Sequence, residues 1–386
     1  MPKKTVVFTD TKRNLTTEST KIAPKSTDEN WSVHKSTYRG GKQAGVESVE
    51  IDNGKLRFSI LATRGMGLWK ARSGDAELGW QSPVDGPVHP NFVPTSEPSG
   101  LGWLDGFDEL LVRCGLVSNG APDFDPESGR LLYPLHGKIG NLPAHYLEVT
   151  VDTDEEEISV TGIVDETRFH FHNLRMKSTI TTKFGESSIH IHDEIENLSD
   201  SPAEIQMLYH FNFGTPLLDA GSKLVLPAKT IVPRNEHAAS EIDNWANYSA
   251  PQAGFEEQVY FFELIADDNG DTRVLLKNAH GTEGVSLDFN KKQIPWFTQW
   301  KNTTSIADGY VTGIEPGTNF PNPRTYEGEQ GRVIKLGSQS SHTFDVSLNW
   351  HQSEAEVKKS EKAISRLQGK TKPKIFEKPE PGWCAP

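Results

Sequence analysis

The sequence predicts an antiparallel all-β fold of two packed sheets, and three observations support that prediction. From about residue 36 to 350, short runs of alternating apolar and polar residues are separated by Gly, Pro, Asn and Asp. Long helical periodicity is scarce, so the crossover helices that a parallel sheet requires are missing. The runs number roughly ten or more, which is more than one open sheet holds comfortably, so we expect two sheets face to face.

The first third of the chain contains an arm, a hairpin and a loop region. Residues 1–35 are rich in Lys, Thr and Ser, and we interpret them as an arm or a first edge strand. At 47–60, the turn Asp52-Asn53-Gly54 separates two β-like runs, which is a strong hairpin signal. Residues 81–127 are rich in Pro, Gly and aromatic residues, which indicates a long structured loop region of the kind that carries function.

The strand at 205–213 has two chemically different faces. One face is large and apolar, and consists of Ile205, Met207, Tyr209, Phe211 and Phe213. We assign this face to the core, and we expect His210 and Asn212 on the other face to point into a groove or solvent. An ordinary surface histidine is the alternative interpretation of His210.

Other histidines also alternate with apolar residues. They are His170 and His172, beside Phe169 and Phe171, and His190 and His192, beside three isoleucines. We expect a polar face that points to solvent or to the other sheet, with a metal-binding pair as the minor alternative, because no third ligand has suitable spacing.

The last third of the chain predicts more strands and one helix. The strands lie at 273–277, 284–289, 296–300, 310–314, 332–336 and 342–348, and the helix at 354–367. The predicted domains are an N-terminal arm (1–35), one large β-sandwich (36–350), and a C-terminal helix and tail (351–386).

Composition narrows the class of protein. The 40 Lys and Arg against 53 Asp and Glu give a net charge of −13, and no basic stripe indicates a nucleic-acid partner. Two cysteines, Cys114 and Cys384, exclude a disulfide framework, and Cys114 is predicted to be a buried thiol. Neither a signal peptide nor an apolar run of about 18 residues is visible, so we expect a cytoplasmic protein without a membrane partner.

Four places combine polar side chains with a constrained backbone. Glu315 ends a strand before Pro316, and Gly313 leaves space beside it, so its carboxylate is positioned for chemistry. His136 and Arg64 lie beside glycines, where a basic side chain suits recognition of ligand oxygens. The segment at 296–301 places two tryptophans beside an amide and an ammonium group, which suits a sugar ring. Ordinary structural roles remain the alternative at each place.

Taken in chain order, these residues resemble a known superfamily. Arg64-Gly65, Leu135-His136-Gly137, Tyr209-His210-Phe211-Asn212-Phe213 and Gly313-Ile314-Glu315-Pro316 resemble the aldose 1-epimerase, or galactose mutarotase-like, superfamily. The motifs at 103–107, 113–116 and 299–301 are similar to an epimerase-related branch of it. The resemblance covers about 45–350, and it implies a large antiparallel β super-sandwich with an open sugar cleft on one concave face.

The resemblance also implies roles for particular residues. His210 matches the general acid and Glu315 the general base of anomer interconversion, which requires no metal or cofactor. Arg64 and His136 match sugar-binding positions, and we expect further substrate contacts from Asn212, Gln299, Trp300 and Lys301. The partner is then a small sugar, and the protein is a monomer or homodimer. A carbohydrate-binding protein without catalysis, and a lyase or epimerase acting at another carbon in the same cleft, remain alternatives.

Overall fold

The computed structural model describes residues 3–24 and 30–386, and these residues are mostly β-strand. In chain order the strands are β1 (Lys3–Asp10), β2 (Leu15–Thr16), β3 (Thr20–Ile22), β4 (Ser32–Thr37), β5 (Glu47–Asp52), β6 (Arg57–Leu61), β7 (Gly67–Ser73), β8 (Ala76–Leu78), β9 (Leu111–Leu116), β10 (Asp123–Phe124), β11 (Leu131–Tyr133), β12 (Tyr146–Asp152), β13 (Glu157–Arg168), β14 (His172–Lys183), β15 (Ser188–Asn197), β16 (Ala203–Phe213), β17 (Lys223–Val225), β18 (Ala228–Pro233), β19 (Gln258–Leu264), β20 (Asp271–Lys277), β21 (Gly284–Asn290), β22 (Trp296–Asn302), β23 (Val311–Gly317), β24 (Ile334–Leu336), β25 (Ser341–His351) and β26 (Lys374–Ile375). The α-helices of the described residues are α1 (Glu236–Ser240), α2 (Arg324–Glu329) and α3 (Glu354–Gln368).

The strands form two large sheets, which confirms the predicted all-β architecture. The ten-stranded sheet has the order β17-β20-β21-β25-β15-β14-β13-β12-β1-β2. The fourteen-stranded sheet follows the path β26-β18-β19-β22-β23-β16-β9-β7-β6-β5-β4-β3, with β24 beside β16 and β8 beside β7. Neighbouring strands are antiparallel apart from the short pair of β18 and β26. The predicted hairpin at 47–60 is confirmed by the antiparallel pairing of β5 with β6.

One continuous hydrophobic core fills the space between the two sheets. The predicted apolar face of β16 belongs to this core, and its five side chains are at most 1% exposed. An ion pair also crosses the core, because Arg113 Nε on β9 lies 2.5 Å from Asp193 Oδ2 on β15. The Tyr209 hydroxyl donates to the same carboxylate at 2.9 Å. The two sheets are therefore joined by a polar network as well as by apolar packing.

Two predicted segments differ from the structure. The region 81–127, predicted as loop, contains β9, a central strand between β16 and β7. All six β9 residues are buried because both faces are covered, so the segment lacks the alternation that marks a half-buried strand. Phe169 and Phe171, predicted to alternate within a strand, lie instead at the turn between β13 and β14, where they are 85% and 70% exposed.

The two ends of the chain join the sandwich. Part of the predicted arm, residues 1, 2 and 25–29, lies outside the described residues. The described part contributes β1 and β2 to the ten-stranded sheet, and β3 and part of β4 to the fourteen-stranded sheet. The predicted C-terminal helix is confirmed as α3, and in the tail Trp383 stacks on Phe320 at 4.9 Å between ring centroids. Within the described residues, none of the helices combines the length and the apolar character that crossing a membrane requires.

Candidate functional site

A cavity of about 500 Å³ opens on the outer face of the fourteen-stranded sheet. Its floor is formed by His210 on β16, Glu315 on β23 and Thr298 on β22. The walls come from β22 and from the long segments between β8 and β12, whose side chains form a second layer over the sheet. The strands therefore position the polar groups of the floor, and the connecting segments enclose them.

His210 and Glu315 lie in direct contact on this floor. The strands β16 and β23 are antiparallel neighbours in which Phe211 pairs with Ile314, and this register brings the two side chains together. His210 Nε2 lies 3.3 Å from Glu315 Oε1, and the residues are only 4% and 2% exposed. The two residues that the sequence predicted as catalytic therefore form one imidazole–carboxyl pair.

The orientation of the imidazole follows from its neighbour Asn212. The Asn212 Nδ2 group donates to the backbone carbonyls of Glu109 and His210, each at 3.0 Å. Its Oδ1 atom is therefore the acceptor that faces His210 Nδ1 at 2.7 Å, so Nδ1 carries the proton. In the neutral ring Nε2 is then unprotonated, and it points at Glu315.

Burial brings both members of the pair towards their neutral forms. It raises the pKa of Glu315 well above its usual 4.5, and the nearby Glu257 adds to this while Arg234 opposes it. Burial lowers the pKa of His210 well below its usual 6.5, and the neighbouring His136 adds to this effect. Both shifts favour the neutral form of the pair, in which Glu315 carries the single ionisable proton and faces the unprotonated Nε2 of His210.

His136 forms a second polar group in the cavity wall. Its Nδ1 atom donates to the carbonyl of Asn119 at 2.9 Å, so Nε2 remains available to accept a hydrogen bond from a ligand. Burial lowers its pKa to about 4, which keeps the ring neutral at physiological pH. The ring centroids of His136 and His210 are 5.2 Å apart, so both can contact one small molecule.

Gly313 creates the space that the pair needs. A Cβ at this position would overlap Glu315 Oε1 and lie 3.0 Å from His210 Cε1. Because any larger residue would displace the carboxyl group, glycine here has a steric function. The sequence predicted this space beside Glu315 on the same strand face.

Aromatic side chains surround the polar floor. Trp80, Trp103, Phe107 and Trp300 line the cavity, and the rings of Phe107 and Trp300 lie 5.3 and 5.7 Å from that of His210 between centroids. Trp300 was predicted from the sequence, and it does line the cavity. Trp103 and Phe107 belong to the motif at 103–107 but were not predicted to line a site, and Trp80 was not predicted at all.

The cavity mouth contains an ion pair that sequence reasoning missed. Arg234 Nη1 lies 3.5 Å from Glu257 Oε1, and Trp300 Nε1 donates to Glu257 Oε2 at 2.7 Å. Arg234 directly follows β18 and Glu257 directly precedes β19. A polar residue at a strand end is common, so neither position carried a distinctive signal.

Arg64, for which the resemblance implied a sugar-binding role, does not line the cavity. It is 1% exposed, and its Nε atom pairs with Glu109 Oε1 at 2.5 Å. Its other nitrogens donate to the carbonyls of Val88 and Gly106 and to Asn141 Oδ1, at 2.8 to 3.0 Å. Arg64 therefore ties together the segments that cover the site, because all three of its side-chain nitrogens donate to groups inside the protein.

Three further predicted substrate contacts are also directed elsewhere. Asn212 is buried behind His210, as described above, and it positions the imidazole instead of touching the cavity. Gln299 Nε2 donates to the Trp245 carbonyl at 3.0 Å and the Tyr248 hydroxyl at 2.9 Å. Lys301 Nζ donates to backbone carbonyls, including that of Asn247 at 2.7 Å, and burial lowers its pKa to about 8. Gln299 and Lys301 alternate with Trp300, so they point to the opposite face of β22.

The predicted buried thiol and the predicted polar histidine face are both present in the structure. Cys114 is a free, fully buried cysteine, as predicted, and burial raises the pKa of its thiol well above the usual value. His190 and His192 are exposed on the outer face of the ten-stranded sheet, also as predicted. In the described part of the chain, no group of three or more His, Cys, Asp or Glu side chains is arranged to hold a metal ion.

Comparison with known proteins gives one family model and several similar structures. Residues 43–350 match the family described as a domain of unknown function, DUF4432. A crystal structure of a candidate aldose 1-epimerase from Klebsiella pneumoniae is 36% identical, covers 98% of this chain and 99% of its own, and superposes with a TM-score of 0.94. The chain has no match among curated proteins.

More distant structures share the fold. A galactose mutarotase-like protein from Clostridium acetobutylicum is 13% identical with a TM-score of 0.57, and the match covers 80% of this chain and 96% of that one. A galactose 1-epimerase from Lactobacillus acidophilus is 14% identical with a TM-score of 0.53, over 84% of this chain and 100% of that one. The chain therefore belongs to the DUF4432 family and, with its Klebsiella relative, to the aldose 1-epimerase (galactose mutarotase-like) superfamily.

Proposed function

We propose that this protein is an aldose 1-epimerase-like isomerase that interconverts the anomers of a free or modified sugar. The contact between His210 and Glu315 carries the proposal. Anomer exchange removes a proton from the anomeric hydroxyl and delivers one to the ring oxygen, and these two oxygens are bonded to the same carbon. An acid and a base 3.3 Å apart can therefore serve both oxygens of one sugar.

The protonation of the pair suits this reaction. In the ring-opening direction Glu315 acts as general base at the anomeric hydroxyl and His210 as general acid at the ring oxygen. The one proton of the pair must then lie on His210, and it can move there from Glu315 across the Nε2–Oε1 contact. After rotation about the bond between C1 and C2, ring closure uses the same groups in reversed roles. The pair therefore carries the same number of protons after the reaction as before it.

The surroundings of the pair favour a sugar ring as ligand. Trp300, Trp103 and Phe107 offer flat apolar surfaces to the C–H faces of a sugar. His136 Nε2 can accept a hydrogen bond from one hydroxyl, and Arg234 and Glu257 at the mouth can bond the distal hydroxyls. Since Arg64 and Lys301 are turned away from the cavity, the site has little positive charge to attract a polyanion.

The test is saturation-transfer NMR on a panel of free sugars. We expect faster α/β exchange for at least one sugar, and we expect Glu315→Gln to lower that rate by about 10²–10⁴ because it removes one acid–base partner. The matched control is His192→Gln on the outer face of the other sheet, which should retain the wild-type rate. Failure of the whole panel, or a Glu315→Gln variant as fast as the wild type, would contradict the proposal.

The same panel distinguishes catalysis from binding alone. If calorimetry detects sugar binding while the anomer exchange rate stays unchanged, the protein is a carbohydrate-binding protein and not an isomerase. If the sugar is instead converted into a different compound, product analysis identifies a lyase or an epimerase acting at another carbon.

A further inference from the structure

Thr298 presents a buried hydroxyl group that the protein itself does not use. The residue is 1% exposed, and Thr298 Oγ1 has no hydrogen-bond partner among residues 3–24 and 30–386. Thr298 pairs across the sheet with Glu315, so the two side chains stand next to each other on the cavity face. Thr298 also lines the cavity, which places the hydroxyl where a ligand can reach it.

Two nearby threonines, by contrast, have hydrogen-bond partners. Thr312 Oγ1 donates to the Trp300 carbonyl at 2.7 Å and lies 2.8 Å from the Tyr248 hydroxyl. Thr318 Oγ1 lies 2.8 Å from Asn319 Oδ1 and donates to it. Both hydroxyls satisfy neighbouring groups in the structure, whereas the hydroxyl of Thr298 is left for something that enters the cavity.

The energetic argument points in the same direction. A buried hydroxyl without a partner is less stable than one that is hydrogen-bonded, because nothing replaces the hydrogen bonds it makes in water. Valine has nearly the same shape and would fill the same space, so packing alone does not require the hydroxyl. A ligand oxygen that bonds to the hydroxyl would recover the cost on binding.

We propose that Thr298 is a substrate-binding residue whose hydroxyl donates a hydrogen bond to the anomeric oxygen of the sugar. This inference rests on the proposed function, because Glu315, the neighbour of Thr298, is the group assigned to the anomeric hydroxyl. In the open-chain form the anomeric oxygen is the aldehyde oxygen. A donor at that oxygen polarises the carbonyl group and assists ring closure, so Thr298 contributes to the transition state as well as to binding.

The test compares Thr298→Val, which removes the hydroxyl, with Thr298→Ser, which keeps it. We expect Thr298→Val to lower kcat/KM for anomer exchange by about tenfold or more, and Thr298→Ser to remain within about threefold of the wild type. The urea midpoint of unfolding of Thr298→Val should be equal to that of the wild type or higher, because an unpaired buried hydroxyl is gone. Lower activity with undiminished stability would separate a ligand contact from a structural one.

The pH profile separates a substrate contact from an effect on Glu315. If Thr298 only solvated the Glu315 carboxyl group, Thr298→Val would shift the alkaline limb of the rate profile and leave KM unchanged. We expect the opposite result: limbs at the wild-type pH, with a changed kcat or KM. An unchanged kcat/KM in Thr298→Val, or a shifted limb without any other effect, overturns the inference.

Calorimetry with the same sugars makes failure of the inference distinguishable from failure of the proposed function. If the wild type binds a sugar without exchanging its anomers, and Thr298→Val binds it at least several-fold more weakly, the proposed function fails and the contact stands. If both proteins bind and exchange the sugar equally well, the contact fails and the function stands. If neither protein binds any sugar, both are overturned.

Discussion

Histidines alternate with apolar residues on the outer faces of both sheets, but the two outer faces have opposite environments. On the ten-stranded sheet, His190 and His192 of β15 are exposed, and they contact Ser347 Oγ at 2.8 Å and Asp345 Oδ1 at 2.7 Å. On the fourteen-stranded sheet, His210 of β16 is 4% exposed and contacts Glu315. The alternation along the strand is the same in both sheets, but only His210 is buried beside a carboxyl group.

The difference arises from the segments that connect the strands. The residues between β8 and β12, here called the cover, fold over β16 and place Trp103, Phe107 and His136 above His210. A salt bridge outside the cavity, between Arg64 and Glu109, holds parts of this cover together. Strand periodicity therefore decides which face a side chain occupies, whereas the cover decides its pKa and its access to a ligand.

The largest expected effect comes from filling the space beneath the pair. Gly313→Ala adds a Cβ that overlaps Glu315 Oε1, so the carboxyl group must move away from His210. We expect anomer exchange to fall by about 10²–10³, within the range for loss of one acid–base partner. The fold should be retained, because the displaced atoms are at the end of a side chain.

The control for that substitution is Gly337→Ala, an exposed glycine whose added Cβ would come no closer than 3.5 Å to Ser340 Oγ. It should exchange sugars at the wild-type rate. Equal activity of Gly313→Ala and Gly337→Ala would mean that the close packing of the pair is not required for the reaction.

A second substitution tests the cover itself. Arg64→Met leaves Glu109 buried and without its charge partner, and we expect a loss of about 3–5 kcal/mol in the free energy of unfolding. The matched control is Arg57→Met, which breaks a surface pair with Asp52 and should cost about 0–1 kcal/mol. Urea denaturation of both variants measures the difference. A similar loss in both would contradict the assignment of Arg64 as the residue that holds the cover.

The smallest expected effect is a shift in the pH dependence of the rate. A pair with one proton is active, so activity is lost in acid when His210 also gains a proton and in alkali when Glu315 loses the last one. Because the pKa of His210 is lowered, the acid limb should lie well below pH 6.5. Because the pKa of Glu315 is raised, the alkaline limb should lie well above pH 4.5.

Opening the cavity should expose His210 and Glu315 to water, as His190 and His192 are on the other sheet. Trp300→Ala removes a ring that lies 5.7 Å from that of His210, and admits water to the pair. We expect both limbs of the profile to move towards the ordinary values of the two groups, which narrows the pH range of full activity. Limbs that stay at the wild-type pH would show that burial by Trp300 does not set these pKa values.

Much of the fold was predictable because it depends on local patterns. The β5–β6 hairpin follows from its Asn-Gly turn, the core face of β16 follows from period-two alternation, and α3 was predicted to within one residue. The central strand β9 was missed because it is buried on both faces and therefore shows no alternation. The turn at Phe169 and Phe171 was missed because it carries large apolar residues and no glycine or proline.

The candidate site was predictable in part. His210 and Glu315 were identified from strand position and from resemblance, and Trp300 from its aromatic segment. Gln299 and Lys301 could have been separated from Trp300 by the alternation of β22, since neighbouring residues in a strand point to opposite faces. Thr298 lies on the same face of β22 as Trp300, two positions away. Threonine is common in strands, however, so nothing in the sequence distinguished this one as a site residue.

By itself, the sequence determined the β architecture and the faces of the main strands, because each depends on spacing along a few residues of chain. The candidate pair of His210 and Glu315 came from strand position together with the resemblance to the superfamily. The tertiary structure alone decided that the pair is in contact, that Arg64 holds the cover instead of the ligand, and that Thr298 is left without a partner. These properties depend on contacts between residues far apart in sequence: Arg64 and Glu109 are 45 positions apart, and no local pattern encodes which groups a long side chain will reach.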